Sequence, residues 1–327
     1  RDHQARSMKH LLSIADLSAD EVWRLLSVAS DLKKESKTGL HSPLLAGQTL
    51  ALVFQRPSLR TRASFDVAMR QLGGRALYLS PQEIQLGQRE SVRDVARVLS
   101  RYVDGLVARV REHRELEELA AHASVPVING LSNYLHPCEI LGDLFTIYEK
   151  RGRLKGMKLA YVGDGNNIAH SLLLGASTVG MELRVATPAG YVPRTEVVDR
   201  ARSIARSTGG KVLVGTDPTS AVAGADVIYT DVWASMGQEH EREARRRVFQ
   251  AYQVNAELVA LASPGVMVMH CLPAHRGEEI AGEVLDGPHS VVQDQAENKL
   301  HVHKAILVSL MLAEERWSTD TREEIAN

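Results

Sequence analysis

The chain has only two cysteines, Cys138 and Cys271, far apart and with no C-x-x-C pair, so neither a disulfide framework nor a zinc knuckle is indicated. No window approaches the roughly 20 apolar residues that span a bilayer. The start "RDHQARSMKHLLS" lacks the apolar stretch of a signal peptide. A membrane role is therefore unsupported, and cytoplasmic is the default. Charge of one sign is missing too: 39 basic side chains face 40 acidic ones, the net charge is -1, and no long single-sign tract occurs. That balance leaves nothing to suggest nucleic acid. Short-period repeats and low-complexity segments are also absent.

What remains is a soluble globular composition, 44% hydrophobic and 24% charged, and its 327 residues suit two domains of ordinary size. The first seven residues read as an extension before "MKHLLSIADLS", which looks like a natural start followed by a capped helix. From residue 48 onward, apolar runs rich in Val, Ile, Leu and Tyr alternate with helical patterns, the signature of parallel sheets flanked by helices. Strands are expected near 49-54, 75-79, 104-109 and 125-128, then near 157-163, 182-187, 211-214, 226-230, 266-270 and 290-293. Between the two series a helical pattern runs from His136 to about Lys150, followed by the charged, Gly-bounded "RGRLKG". The expected fold is α/β, two doubly wound parallel-sheet domains joined by helices: 1-150, completed by a C-terminal helix at 297-320, and 151-296. That last helix, read as Glu297 to about Glu315, places Val302, Ala305, Ile306, Leu310 and Ala313 on one side, and so must bury a face.

One stretch, "FQRPSLRTRASFDVAM" (54-69), concentrates arginines and hydroxyls where an apolar strand hands over to a helix. Phe65, Ala68, Met69 and Leu72 give that helix an inward face, and Ser58 or its neighbour stands at the N-cap. Like charges at a positive helix end are unfavourable by a few tenths to about 1 kcal/mol each unless an anion offsets them. Ser58, Arg60, Thr61 and Arg62 supply forked guanidinium donors, hydroxyls and backbone amides, which is what phosphate oxygens accept. The alternative is arginines that are solvated or paired with acids elsewhere. The stretch has no glycine and no G-x-x-x-x-G-K-[ST], which excludes a nucleotide P-loop. "VGDGNNIAHS" follows a strand and opens a helix, yet Ile168 takes the third-glycine position and "LRVATP" ends without a ribose-binding acid. A nicotinamide cofactor is therefore not expected.

Read in order, "SLRTR", "HPCEILGD", "GDGNNIAHS", "DVWASMG", "HCLPAHRGEE" and "AENKLH" resemble the carbamoyltransferase family over nearly the whole chain, with "DVWASMG" and "HCLP" pointing to its ornithine branch. The resemblance implies a carbamoyl-phosphate domain, an amino-acid domain and a homotrimer, or a multiple of trimers, with sites at subunit boundaries. It implies that Ser58, Leu59 (through its backbone amide), Arg60, Thr61, Arg109 and His136 bind carbamoyl phosphate, with Glu139, Cys271, Leu272 and Lys299 beside it. Gln85 matches a residue that reaches the neighbouring subunit's site, and Asn167, Asp231, Ser235 and Met236 match the ornithine grip. Three positions depart from the family's usual residues: Leu59 stands for threonine, Glu139 for glutamine and Lys299 for arginine.

The implied reaction joins carbamoyl phosphate and L-ornithine to give L-citrulline and phosphate, as in arginine metabolism. The same transfer to putrescine or an acylated ornithine is the nearest rival, and a non-catalytic phosphate-metabolite-binding relative is another. A tetrahedral oxyanion must be stabilised, which makes Arg60, Arg109, His136 and Cys271 the expected catalytic residues. A lysine-like amine has a pKa near 10.4, so reaching its neutral form at pH 7 costs roughly 4-5 kcal/mol. Nearby arginines favour that neutral form, and Cys271 or the phosphate is the expected proton acceptor. His136 before a proline also reads as a plain helix cap, and Asp231 as a turn cap. His270, Cys271 and His275 lack a clear further ligand set, so no metal is expected, and no organic cofactor. "HEREARRR" (240-247) reads as a solvated helical face, and the "SMG" loop as a flap over the amino acid.

Overall fold

The structure, a computed structural model, describes residues 8-235 and 238-312. The chain divides into two compact units: residues up to Leu141 together with those from Lys299 on, and Gly142-Asn298. Each is built on a parallel sheet.

In the first unit, β1 (Thr49–Phe54), β2 (Arg75–Leu79), β3 (Gly105–Arg109) and β4 (Val127–Leu131) lie in the order β2-β1-β3-β4. The central strands β1 and β3 are covered on both faces, which is why "LALVF" and "GLVA" read as unbroken apolar runs rather than alternating ones. Edge strand β2 is only partly covered, and its Leu77 is exposed. The N-terminal segment joins this unit: Leu11 bridges Ile128 of β4, and Ser18 forms a capping box with Glu21 at the start of the helix Ala19–Lys37.

In the second unit, β5 (Lys158–Val162), β6 (Glu182–Ala186), β7 (Lys211–Gly215), β8 (Val227–Thr230) and β9 (Met267–His270) lie in the order β7-β6-β5-β8-β9. The strand expected at 290-293 does not form. His289 and Val291 exchange two backbone hydrogen bonds with Val268, and the chain then turns into a helix, Val292–Met311. The polar residues Gln293, Asp294 and Gln295 would leave a strand there little to bury, whereas a helix turns most of them away from the sheet.

That helix begins five residues before the expected Glu297, and its described part ends at Met311; Ala313 and Glu315 lie outside the described residues. It is also not one-sided. Every residue from His301 to Val308 is buried, including His301, His303 and Lys304. Buried polar groups need partners, and the first unit supplies them for His303 and Lys304. The His303 ring stacks 3.8 Å from Phe65 and meets Ser64 Oγ at 2.9 Å, and Lys304 Nζ donates to Ser36 Oγ at 2.5 Å.

Candidate active site

Both sheets place their candidate residues by the same topological rule. In the first unit the chain leaves β1 for β2 on one side and returns to lay β3 on the other, so the strand order reverses between β1 and β3. Open α/β sheets bind ligands beyond the strands' C-terminal ends at such a reversal. The residues there are the helix start after β1 and Arg109, which ends β3 in register with Phe54.

Ser58 is the N-cap of the helix Leu59–Gln71, its Oγ accepting from Thr61 N at 3.3 Å. The first turn contains no acid to balance its arginines. Thr61 is buried, Arg60 partly covered, and Leu59 is 82% exposed, so the leucine side chain packs against little. Arg62 is engaged elsewhere, its guanidinium 3.7 Å from the centre of the Tyr78 ring. Of the residues expected to meet an anion, Ser58, Arg60 and Thr61 have no such ring contact among the described residues.

His136 precedes the helix Pro137–Arg151, and its carbonyl accepts from Ile140 N, so it does sit at a helix start as the cap reading has it. Its side chain has a different task. Nε2 lies 3.3 Å from Glu139 Oε2, and the same oxygen is 2.5 Å from Lys299 Nζ. All three residues are buried, with Arg109 close by. Burial first, then the positive charges of Lys299 and Arg109, hold the His136 ring well below the usual histidine range, so it is neutral. Burial and Glu139 push the Cys138 thiol up, and it donates to Asn129 O, which makes it a structural thiol. Gln85 is exposed with left-handed backbone (φ 37°), its amide donating to nearby Gln82 O.

In the second unit the order reverses between β5 and β8. The loop after β5 and the segment after β8 meet there, Asn166 Nδ2 donating to Asp231 Oδ2 at 2.7 Å. Asn166 also caps the helix Asn167–Thr178, its Oδ1 accepting from Ile168 N and Ala169 N. The sequence reading names Asn167 and misses Asn166; the preference for asparagine at an N-cap was the available signal. The other Asp231 oxygen accepts from Cys271 Sγ at 3.0 Å. Asp231 is thus a buried carboxylate held between an amide and a thiol, rather than a cap on its own turn.

Cys271 follows β9, on a turn set by its neighbour. His270 Nδ1 accepts from Leu272 N at 2.8 Å, which leaves Nε2 to donate to Glu279 Oε1 at 2.9 Å. Leu272 stands in the left-handed region (φ 56°), uncommon for a branched side chain and concentrated at functional sites. Asp231, His270 and Cys271 bring potential metal-ligand atoms within 4.8 Å of one another. Both nitrogens of His270 are already committed to Leu272 and Glu279, however, so this trio is a hydrogen-bonded constellation. Ser235 N donates to Gln238 Oε1; Met236 and Gly237 lie outside the described residues.

The "HEREARRR" reading needs correction at one position. Arg245 is buried: Nη1 donates to Trp233 O at 2.8 Å and pairs with Asp164 at 3.1 Å, while Nε pairs with Glu241 at 2.8 Å. The arginine therefore ties the segment after β8 to the loop after β5. Gly165 in that loop has a packing reason. A Cβ there would lie 2.3 Å from Pro193 N and 2.4 Å from Val192 C, so "GDGNN" keeps its second glycine for a close backbone approach.

Comparison with known proteins agrees with this layout. Residues 9–149 match the carbamoyl-P binding domain of aspartate/ornithine carbamoyltransferase, and residues 155–310 its Asp/Orn binding domain. The second match runs past Asn298, where the second compact unit ends. The anabolic ornithine carbamoyltransferase of Pyrococcus furiosus is 54% identical over 93% of this chain and 96% of its own length. The ornithine carbamoyltransferase of Archaeoglobus fulgidus is also 54% identical, over 93% and 98%. Among solved structures, the ornithine carbamoyltransferase of Pyrococcus furiosus superposes with a TM-score of 0.91 over 93% of this chain and 97% of that one, at 54% identity. The anabolic enzyme of Campylobacter jejuni gives 0.88 at 39% identity, over 93% and 99%. On this identity and coverage, the chain belongs to the aspartate/ornithine carbamoyltransferase family.

Proposed function

We propose that this protein transfers the carbamoyl group of carbamoyl phosphate to the δ-amino group of L-ornithine, giving L-citrulline and phosphate. The observation that carries this reading is the content of the two strand-order reversals. One holds a helix start that carries arginines and no acid, with the buried Arg109 beside it, and the other a buried carboxylate bonded to a thiol.

Ser58, the Leu59 amide, Arg60 and Thr61 hold the phosphate, and Arg109 adds a second guanidinium. His136 meets the carbamoyl group. As the amine attacks, negative charge builds on the carbonyl oxygen; the C–O bond to phosphate then breaks, and the cationic side chains stabilise both anions. Asp231 takes the α-ammonium group of ornithine, with Asn167, Ser235 and Met236 completing the grip. Cys271 lies next to Asp231 and orients the amine, whose proton leaves with the departing phosphate, and Leu272 stands beside it. The bonds made and broken balance without a further reactant.

The working assembly in this reading is a homotrimer in the cytoplasm. Gln85, exposed at the end of a one-turn helix, is the residue offered to a neighbouring subunit. The cytoplasmic placement rests on the balanced charge and on two cysteines that are both thiols.

A citrulline-forming assay with a panel of amines tests the function. Ornithine should be the preferred acceptor. Turnover with putrescine or acylated ornithine, but not with ornithine, would assign the acceptor differently.

A further inference from the structure

Glu139 and Lys299 lie far apart in sequence, and the first unit brings them together beside His136. Both are buried, their charged atoms are 2.5 Å apart, and the shared Glu139 oxygen also faces His136 Nε2 at 3.3 Å. A buried carboxylate without a cation is costly, and so is a buried ammonium without an anion, so each residue requires the other. The two residues therefore act as one pair.

That pair has a consequence for His136. A glutamine amide can present either its oxygen or its NH2 to an imidazole, and so does not select a tautomer. A carboxylate paired with lysine only accepts. Facing Nε2, it favours the neutral ring that carries its proton there. We propose that Glu139 is a positioning residue, not a substrate contact: anchored by Lys299, it holds the His136 ring with the proton on Nε2. Titratable and charged groups near the ring include Glu139 on its own helix, Arg109 from β3, and Lys299 and His303 from the helix Val292–Met311. Arg109 and Lys299 are cations and His303 is a second imidazole, so Glu139 is the one anion of these four. The neutrality that burial imposes on His136 is what leaves a tautomer to be selected.

The kinetic arm of the test rests on the transfer reaction proposed above; the spectroscopic arm does not. In full-length protein labelled with 15N-histidine, with the His136 signals assigned from a His136→Gln spectrum, Nε2 should show the protonated and Nδ1 the bare nitrogen shift. In Glu139→Gln both shifts should move toward the averaged values of exchanging tautomers. Lys299→Arg should keep the wild-type pattern. The double variant Glu139→Gln/Lys299→Gln leaves no unpaired buried cation, so it keeps the test readable if the single variant fails to fold, and it too should lose the preference.

In steady state, Glu139→Gln should lower kcat about 10-fold or more while KM for carbamoyl phosphate changes less than about 2-fold. Added to His136→Ala, it should cost less than about 2-fold more, because residues acting through one another are not additive. A bare Nε2 in the wild type, an unchanged ring pattern in both variants that carry Glu139→Gln, a rise in KM with kcat retained, or full multiplicativity with His136→Ala would each overturn the proposal. A wild type that forms no citrulline would refute the function and leave the ring nitrogens to decide this inference.

Discussion

Replacing Arg245 by methionine removes the cation between Asp164, Glu241 and the Trp233 carbonyl, and the size of the loss should depend on pH in a defined direction. Burial raises Asp164 from 3.8 to about 6 even though Arg245 pulls it down. Between those values the native chain keeps a proton that the unfolded chain has lost. Stability contributed by this group is therefore present below about pH 4 and is lost as pH rises to about 6. The difference of about 2.2, at 1.36 kcal/mol each, amounts to about 3 kcal/mol. Without Arg245 the native value moves higher still, so the window widens upward. At pH 8 the variant must either bury a charged Asp164 without its partner or protonate it at a cost, and removing one member of a buried pair costs about 3-5 kcal/mol. At pH 5 Asp164 is protonated and only the hydrogen bonds to Trp233 O and Glu241 are lost, about 1-2 kcal/mol. Urea unfolding followed by fluorescence at pH 5 and pH 8, at fixed protein concentration, measures both. Equal destabilisation at the two pH values, or a greater loss at pH 5, would refute the reasoning.

Two further predictions follow from close packing and from a buried amine. Gly165→Ala drives a Cβ into the backbone of Val192 and Pro193 at 2.3-2.4 Å; it should raise KM for ornithine about 10-fold or more and lower the melting temperature, and kinetics indistinguishable from wild type would remove the packing role given to this glycine. Burial lowers Lys304 from 10.5 to about 8, so between those values the unfolded chain binds a proton the native chain does not, and this group's contribution to stability rises with pH across that window. In Lys304→Met the rise should be missing from a melting-temperature series between pH 7.5 and 10.5; parallel wild-type and variant curves would contradict it.

The contrast between Ser58 and Arg245 marks where sequence reading succeeds. Ser58 caps the helix it precedes by accepting from Thr61 three positions on, so the cap is legible locally. The central strands β1, β3, β5 and β8 are equally local signals, because parallel strands buried on both faces read as near-continuous apolar runs. Arg245 lies in a run of charges that looks solvated until folding brings Asp164 and the Trp233 carbonyl to it from distant parts of the chain. The strand expected at 290-293 failed for the converse reason. Its valines match the strand pattern, but the residues after them favour a helix, and only two backbone bonds to β9 remain. Likewise, Glu139 and Lys299 each look out of place alone, and only their 2.5 Å contact reveals them as a pair.

The central claim is that the anion is held by the helix start after β1 and the amino acid by the segment after β8. Steady-state citrulline formation with both substrates varied, in Arg60→Ala and Asp231→Asn, tests it most directly. Arg60→Ala should lower kcat/KM for carbamoyl phosphate by about 10²- to 10³-fold or more, as loss of a charge-stabilising donor does, and should leave too little phosphate binding to measure. Asp231→Asn should act mainly through KM for ornithine. Unchanged phosphate affinity in Arg60→Ala, or an Asp231→Asn variant with wild-type KM for ornithine, would contradict the account.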